Sequence, residues 1–79
     1  MALADHVAPN ILAAREAKKL TQVALAKKSK LSVSYVSMLE RGERVPPLDT
    51  LEALAHALGV PPLALLQRPA GKAARRGQQ

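Results

Sequence analysis

Two histidines and six carboxylates are the acid–base residues of this 79-residue chain, and their spacing offers little chemistry. His6 stands near the N-terminus and His56 among alanines. Neither is accompanied by a carboxylate pair, a glycine-rich phosphate loop or a cluster with metal-ligand spacing. The absence of cysteine excludes thiolate catalysis, disulfides and Cys-based zinc sites. An enzyme, a metal site and a cofactor are therefore not expected, and His56 is expected at the surface. What remains is binding chemistry. Twelve Lys and Arg against six Asp and Glu give a net charge of +6. Such an excess favours a polyanionic partner, nucleic acid first and an acidic membrane surface second.

The charge is uneven. Residues 67–79 hold Arg68, Lys72, Arg75 and Arg76, no acid, two glycines and a proline. They read as a disordered basic tail, either a solubilising end or an added attraction to DNA. No apolar stretch is long enough to span a bilayer, and the basic residues do not line one face of a long amphipathic helix, so no membrane role is expected. Residues 1–9 contain Asp5 and lack a basic leader region, which argues against a secretory signal and for a cytoplasmic protein.

The elements that must position these residues read as short helices. Val7, Ile11, Ala14 and Lys18 fall at helical spacing, with Pro9 placed in a first turn. Thr21 offers an N-cap to a second helix running to about Lys28, and Ser32 to a third running from Val33 to Arg41, stopped by Gly42. Pro46 and Pro47 break the chain. Leu48, Leu51, Leu54, Ala55 and Leu58 then keep helical spacing up to Gly59, and Pro61-Pro62 opens a last short helix with Leu63, Leu65 and Leu66. The division is an arm over 1–6, a helical domain over 7–66 and the tail over 67–79. Helices 2 and 3 are joined only by Ser29, Lys30 and Leu31. So short a link favours the sharp angle of a helix-turn-helix. A generic small helical bundle fits the same periodicity.

From Ile11 to Leu66 the chain resembles the Cro/repressor-type helix-turn-helix family, often called XRE. The resemblance is carried in order by Arg15, Leu20-Thr21-Gln22, Leu25-Ala26, Ser32-x-x-Tyr35-Val36-Ser37-x-Leu39-Glu40-Arg41-Gly42, Pro47-x-x-x-Leu51 and Leu54-Ala55-x-x-Leu58-Gly59-Val60. Each piece alone is weak, but together in register they are specific. The small size and the Ser29-x-Leu31 turn also resemble controller proteins of restriction–modification operons. The resemblance implies an all-α, compact five-helix, lambda-repressor-like DNA-binding domain, with helix 3 in the major groove and helix 2 across the backbone.

The resemblance also implies roles for individual residues. Val33, Ser34, Ser37 and Met38 would face bases, while Thr21, Gln22, Tyr35, Arg41 and Arg44 would meet phosphates. Gln22 would sit at the positive end of helix 2. Many relatives carry Arg or Gln where this chain has Val33 and Met38. Valine and methionine can meet a thymine methyl but cannot pair with a purine edge. This leaves the operator open and shifts weight to DNA shape and phosphate contacts. Arg15 and Glu40 match a partly buried bridge between helices 1 and 3, a structural pair rather than a catalytic one. Lys19 and Lys30 stand where relatives often have a left-handed glycine, a substitution that costs about 1–2 kcal/mol. Lys27, Lys28 and Lys30 read as a solvated face.

One recognition helix reads too few base pairs to be specific. A homodimer on a palindromic operator is therefore expected, with Leu63, Leu65 and Leu66 as candidate dimer contacts and Leu66 foremost. The expected function is sequence-specific transcriptional regulation, repression included, controlled by protein concentration and autoregulatory. The alternative is an antitoxin-type or other interaction module whose main partner is a protein.

Overall fold

The computed structural model describes residues 3–69, which form four α-helices and one 3-10 turn. The helices are α1 (Ala4–Ala17), α2 (Gln22–Ser29), α3 (Val33–Glu40) and α4 (Leu48–Leu58), and the 3-10 turn is Pro62–Leu65. The all-α expectation holds among these residues, but the count of five helices does not. The last element is a single 3-10 turn that ends at Leu65. An α-helix continuing past Leu65 would need the residue-69 N–H to bond the Leu65 carbonyl, and Pro69 has none. Asn10 of α1 supplies the missing donor instead: its Nδ2 donates to the carbonyls of Leu65 (2.9 Å) and Gln67 (2.6 Å).

At the other end α1 starts at Ala4, earlier than expected, so residues 4–6 are helical rather than part of an arm. Asp5 in the first turn suits the positive end of the helix. Pro9 consequently sits in the body of the helix, on its exposed side, not in its first turn. Of the basic tail, everything beyond Pro69 lies outside the described residues, including Lys72, Arg75 and Arg76.

Every helix gives its chain direction to the next through the same left-handed stop. Lys19, Lys30, Gly42 and Gly59 have φ of 57°, 60°, 76° and 71°. At each stop, the left-handed residue and its successor donate back into the last turn. Examples are Lys30 N–H to Lys27 O (3.2 Å) with Leu31 N–H to Ala26 O (2.8 Å), and Gly42 N–H to Leu39 O (3.2 Å) with Glu43 N–H to Met38 O (2.9 Å). These are Schellman motifs, and they usually carry an apolar residue just past the left-handed one. Leu20, Leu31 and Val60 fill that place and pack against the core, whereas Glu43, the counterpart after α3, is exposed.

The core joins Val7 and Ile11 of α1, Leu25 and Ala26 of α2, Val36 and Leu39 of α3, and Leu51, Leu54, Ala55 and Leu58 of α4, closed by Leu65. It is purely aliphatic, and Tyr35 packs half-buried on its edge. Leu48 departs from its helical stripe: as the first residue of α4 it stays exposed. No helix among the described residues is long and apolar enough to cross a membrane.

Candidate nucleic-acid interface

Helices α2 and α3 have eight residues each, too short to hold a direction alone, so the scaffold must aim them. Local capping starts the process. Thr21 Oγ1 accepts from the Ala24 N–H and Ser32 Oγ from the Tyr35 N–H, both at 3.0 Å. Each cap hydroxyl is exposed and keeps its own proton for an outward partner. In the last turn of α2, buried Ser29 donates to the Leu25 carbonyl at 2.6 Å, which satisfies its hydroxyl without a distant partner.

A polar joint then fixes α3 to the rest. Arg15 of α1 grips the Glu40 carboxylate with two N–H donors, Nε to Oε2 at 2.6 Å and Nη2 to Oε1 at 3.1 Å. Its Nη1 donates to the Leu20 carbonyl in the α1–α2 turn at 2.8 Å. Gln22, first residue of α2, donates from Nε2 to Glu40 Oε1 at 2.9 Å. One carboxylate at the end of α3 thus ties three helices together. The Glu40 side chain is 5% exposed and that of Arg15 15%. The hydrogen bonds that Arg15 donates to Glu40 raise the Arg15 pKa above its ordinary value, outweighing the opposing effect of burial.

The outer side of this joint is a shallow depression of about 420 Å3, lined by Gln22, Val33, Ser34, Ser37, Met38 and Arg41. The four residues expected to face bases are therefore contiguous. Val33 and Ser34 are exposed, Ser37 and Met38 half-buried, while Val36 and Leu39 turn into the core. Thr21 is exposed, Gln22 half-buried, and the Tyr35 hydroxyl makes no hydrogen bond among the described residues. Gln22 lines the depression while sharing its amide with the joint. One donor is turned in to Glu40, leaving its amide oxygen and second N–H for the depression.

The two arginines after α3 behave differently. Arg44 is exposed and makes no ion pair among the described residues. Arg41 lies back along α3, with Nε and Nη2 on the Glu43 carboxylate (2.8 and 3.1 Å) and Nη1 donating to Ser37 Oγ. The Arg41 hydrogen bond holds the Glu43 carboxyl below the usual carboxylate range. Sequence reasoning missed Glu43. The available signal was the left-handed Gly42, which folds residues 41 and 43 alongside each other.

A second groove, about 410 Å3, is lined by Leu3, His6, Leu63, Leu66, Gln67 and Arg68 at the start of α1 and the C-terminal turn. The three leucines proposed for a dimer contact divide here. Leu63 is 70% exposed and Leu66 half-buried, but Leu65 is buried in the core at 1% exposure and is not available to a partner. The cause is the 3-10 turn, whose three-residue repeat sends Leu65 inward while Leu63 and Leu66 share the outer side. His56 is exposed. Among the described residues no three His, Cys, Asp or Glu side chains come together as a metal site.

Residues 11–65 match the Helix-turn-helix (HTH_3) family. Over 54 residues, 68% of this chain and 38% of the relative, the sequence is 52% identical to the immunity repressor protein of Bacillus phage phi105. The chain spans less than half the length of the first two curated relatives it matches, 38% and 28%. Among solved structures it resembles the restriction-modification controller protein C.AhdI from Aeromonas hydrophila, with 38% identity and a TM-score of 0.74 over 80% of this chain and 94% of that one. It also resembles the hypothetical transcription factor NHTF from Neisseria, with 32% identity and a TM-score of 0.81 over 98% and 85%.

Proposed function

Since the chain belongs to the helix-turn-helix family of DNA-binding transcription regulators, we propose that it binds a palindromic operator as a homodimer, with α3 in the major groove of each half-site. The carrying observation is the depression on α3: four side chains of one recognition stripe, framed by the N-termini of two helices, on a chain with six excess positive charges. Helix N-termini and their cap hydroxyls favour phosphate oxygens, which supports Thr21 and Gln22 as backbone contacts on one strand. Arg44, with no competing acid, and the Tyr35 hydroxyl complete that set. Val33 and Met38 would meet thymine methyl groups, and Ser34 and Ser37 base or phosphate oxygens.

Dimerisation through the groove beside the 3-10 turn is supported by Leu63, Leu66 and Leu3, which a lone copy leaves exposed or half-exposed. The DNA-binding domain is taken as residues 7–66, preceded by the first turn of α1 and followed by the basic tail. Regulation of its own operon, set by protein concentration in a cytoplasmic setting, is part of the same proposal. A module whose main partner is a protein is the alternative reading.

The test is a selection from random duplex DNA, followed by titration of the winner against a scrambled duplex at about 150 mM salt. A palindromic winner preferred about a thousand-fold or more is the expected result. No enrichment, with binding that disappears in salt, would leave only charge attraction and favour a protein partner.

A further inference from the structure

The recognition stripe of α3 does not end at Met38. At helical spacing after Val33 and Ser37 the next member is Arg41, and it lines the same depression. We propose that Arg41 reads a guanine edge from the end of that depression, with its guanidinium plane set by Glu43 and Ser37; the proposal rests on the DNA-binding reading above.

A guanidinium carries five N–H donors in one rigid plane. Glu43 takes two of them, one on Nε and one on Nη2, and Ser37 takes one on Nη1. Two donors remain, one on each Nη, and the side chain is 54% exposed. Two N–H groups in one plane match O6 and N7 of guanine in the major groove, the commonest specific contact in direct readout.

The partners themselves argue against a phosphate contact. A phosphate is held mainly by charge, and a carboxylate beside the cation offsets that charge. What Glu43 supplies is orientation, since a bidentate carboxylate fixes the plane of the fork. Ser37 fixes it from a second direction. Because Arg41 holds the Glu43 carboxyl below its usual range, the pair is ionised at neutral pH. Arg44, three residues past Arg41 on the far side of Gly42, has no such restraint among the described residues and fits the phosphate role. The assignment also fills a gap in the stripe: Val33 and Met38 have no donors for a purine edge, and Arg41 does.

The experiment uses the duplex that the full chain selects and all its single base-pair variants, with binding measured at about 150 mM salt. Arg41→Lys keeps the charge and loses the fork. It is expected to reduce the preference for one G·C pair in each half-site by about 5- to 150-fold. Glu43→Gln is expected to weaken the same preference while raising affinity for scrambled DNA, because it removes a negative charge. Both positions are exposed, and thermal melts of the variants verify that they fold. The proposal is overturned if Arg41→Lys leaves every base preference intact and Arg41→Ala weakens all duplexes alike, with a salt slope lower by about one. DNA recognition itself would then stand, with Arg41 on a phosphate. A wild-type chain that selects no duplex overturns the DNA-binding reading, and this proposal with it.

Discussion

Removing Glu40 should be the most damaging single change outside the aliphatic core. Its carboxylate receives two N–H groups from Arg15 and one from Gln22, and 5% of the side chain reaches solvent. Glu40→Met strands the Arg15 cation in a site where only 15% of that side chain is exposed. Stranding one member of a buried pair costs about 3–5 kcal/mol. Arg15 keeps the Leu20 carbonyl and a little water, so the lower end, about 3 kcal/mol, applies. Domains of this size hold about 4–10 kcal/mol in total. For such a domain the expected fall in Tm is about 12–24 °C. The assay is urea and thermal unfolding by circular dichroism on the wild type, Arg15→Met, Glu40→Met and the double variant. The double variant removes both charges together and should cost no more than Glu40→Met alone, so the coupling equals at least the cost of Arg15→Met, about 3 kcal/mol. A Glu40→Met cost below about 0.5 kcal/mol, or additive single effects, would mean the pair behaves like a surface ion pair and would refute the reasoning.

Lys19 and Lys30 hold left-handed backbone that glycine adopts freely, so Lys19→Gly and Lys30→Gly should each stabilise by about 0.5–1 kcal/mol, read from urea midpoints at unchanged slope. Asn10→Ala takes the only side-chain donor among the described residues from two carbonyls of the C-terminal turn. It should cost about 1–2 kcal/mol and raise amide exchange in residues 63–67 ahead of the rest of the chain. The Glu43 carboxyl should titrate below the usual carboxylate value by NMR and return toward it in Arg41→Ala. A lowered folded pKa contributes stability above the unfolded value that is lost as pH falls through the lowered one; because Glu43 is exposed at the surface, that contribution is small and acid melts should scarcely change.

Local signals made most of the helical frame legible in the sequence. Thr21 and Ser32 start their helices as cap residues do, and Gly42 and Gly59 stop theirs. Aliphatic spacing found Ile11, Val36, Leu54 and Leu58 in the core. The misses share a cause, which is that a distant group decides the outcome. Leu65 turned inward with the 3-10 turn, whose end is held by Asn10, 55 residues earlier, through the Leu65 carbonyl. The bond from the Gln22 amide to Glu40, 18 residues on, is likewise a pairing between distant positions. Neither pairing has a local spacing to betray it. Leu48 fits the α4 stripe by number, yet the first residue of a helix has no neighbouring element above it. For Arg15 and Glu40, the resemblance to a known family named the pair, and the coordinates supply its third partner, Gln22.

Glu40 and Arg41 are adjacent and face opposite ways, and the site depends on that adjacency. Glu40 ends α3 on the inside, locked to α1 and α2; Arg41 begins the turn on the outside, laid over the recognition stripe. An eight-residue helix has no stiffness of its own to carry the fork at a fixed angle. The angle must come from the joint, one residue away. Glu40→Gln keeps the shape and an acceptor for Arg15 but loses the charge. If the joint aims the fork, this variant should blur the preference that Arg41→Lys removes, even at temperatures where it remains fully folded. If instead the joint serves stability alone, Glu40→Gln will lower Tm and leave the ranking of duplexes untouched below the melt.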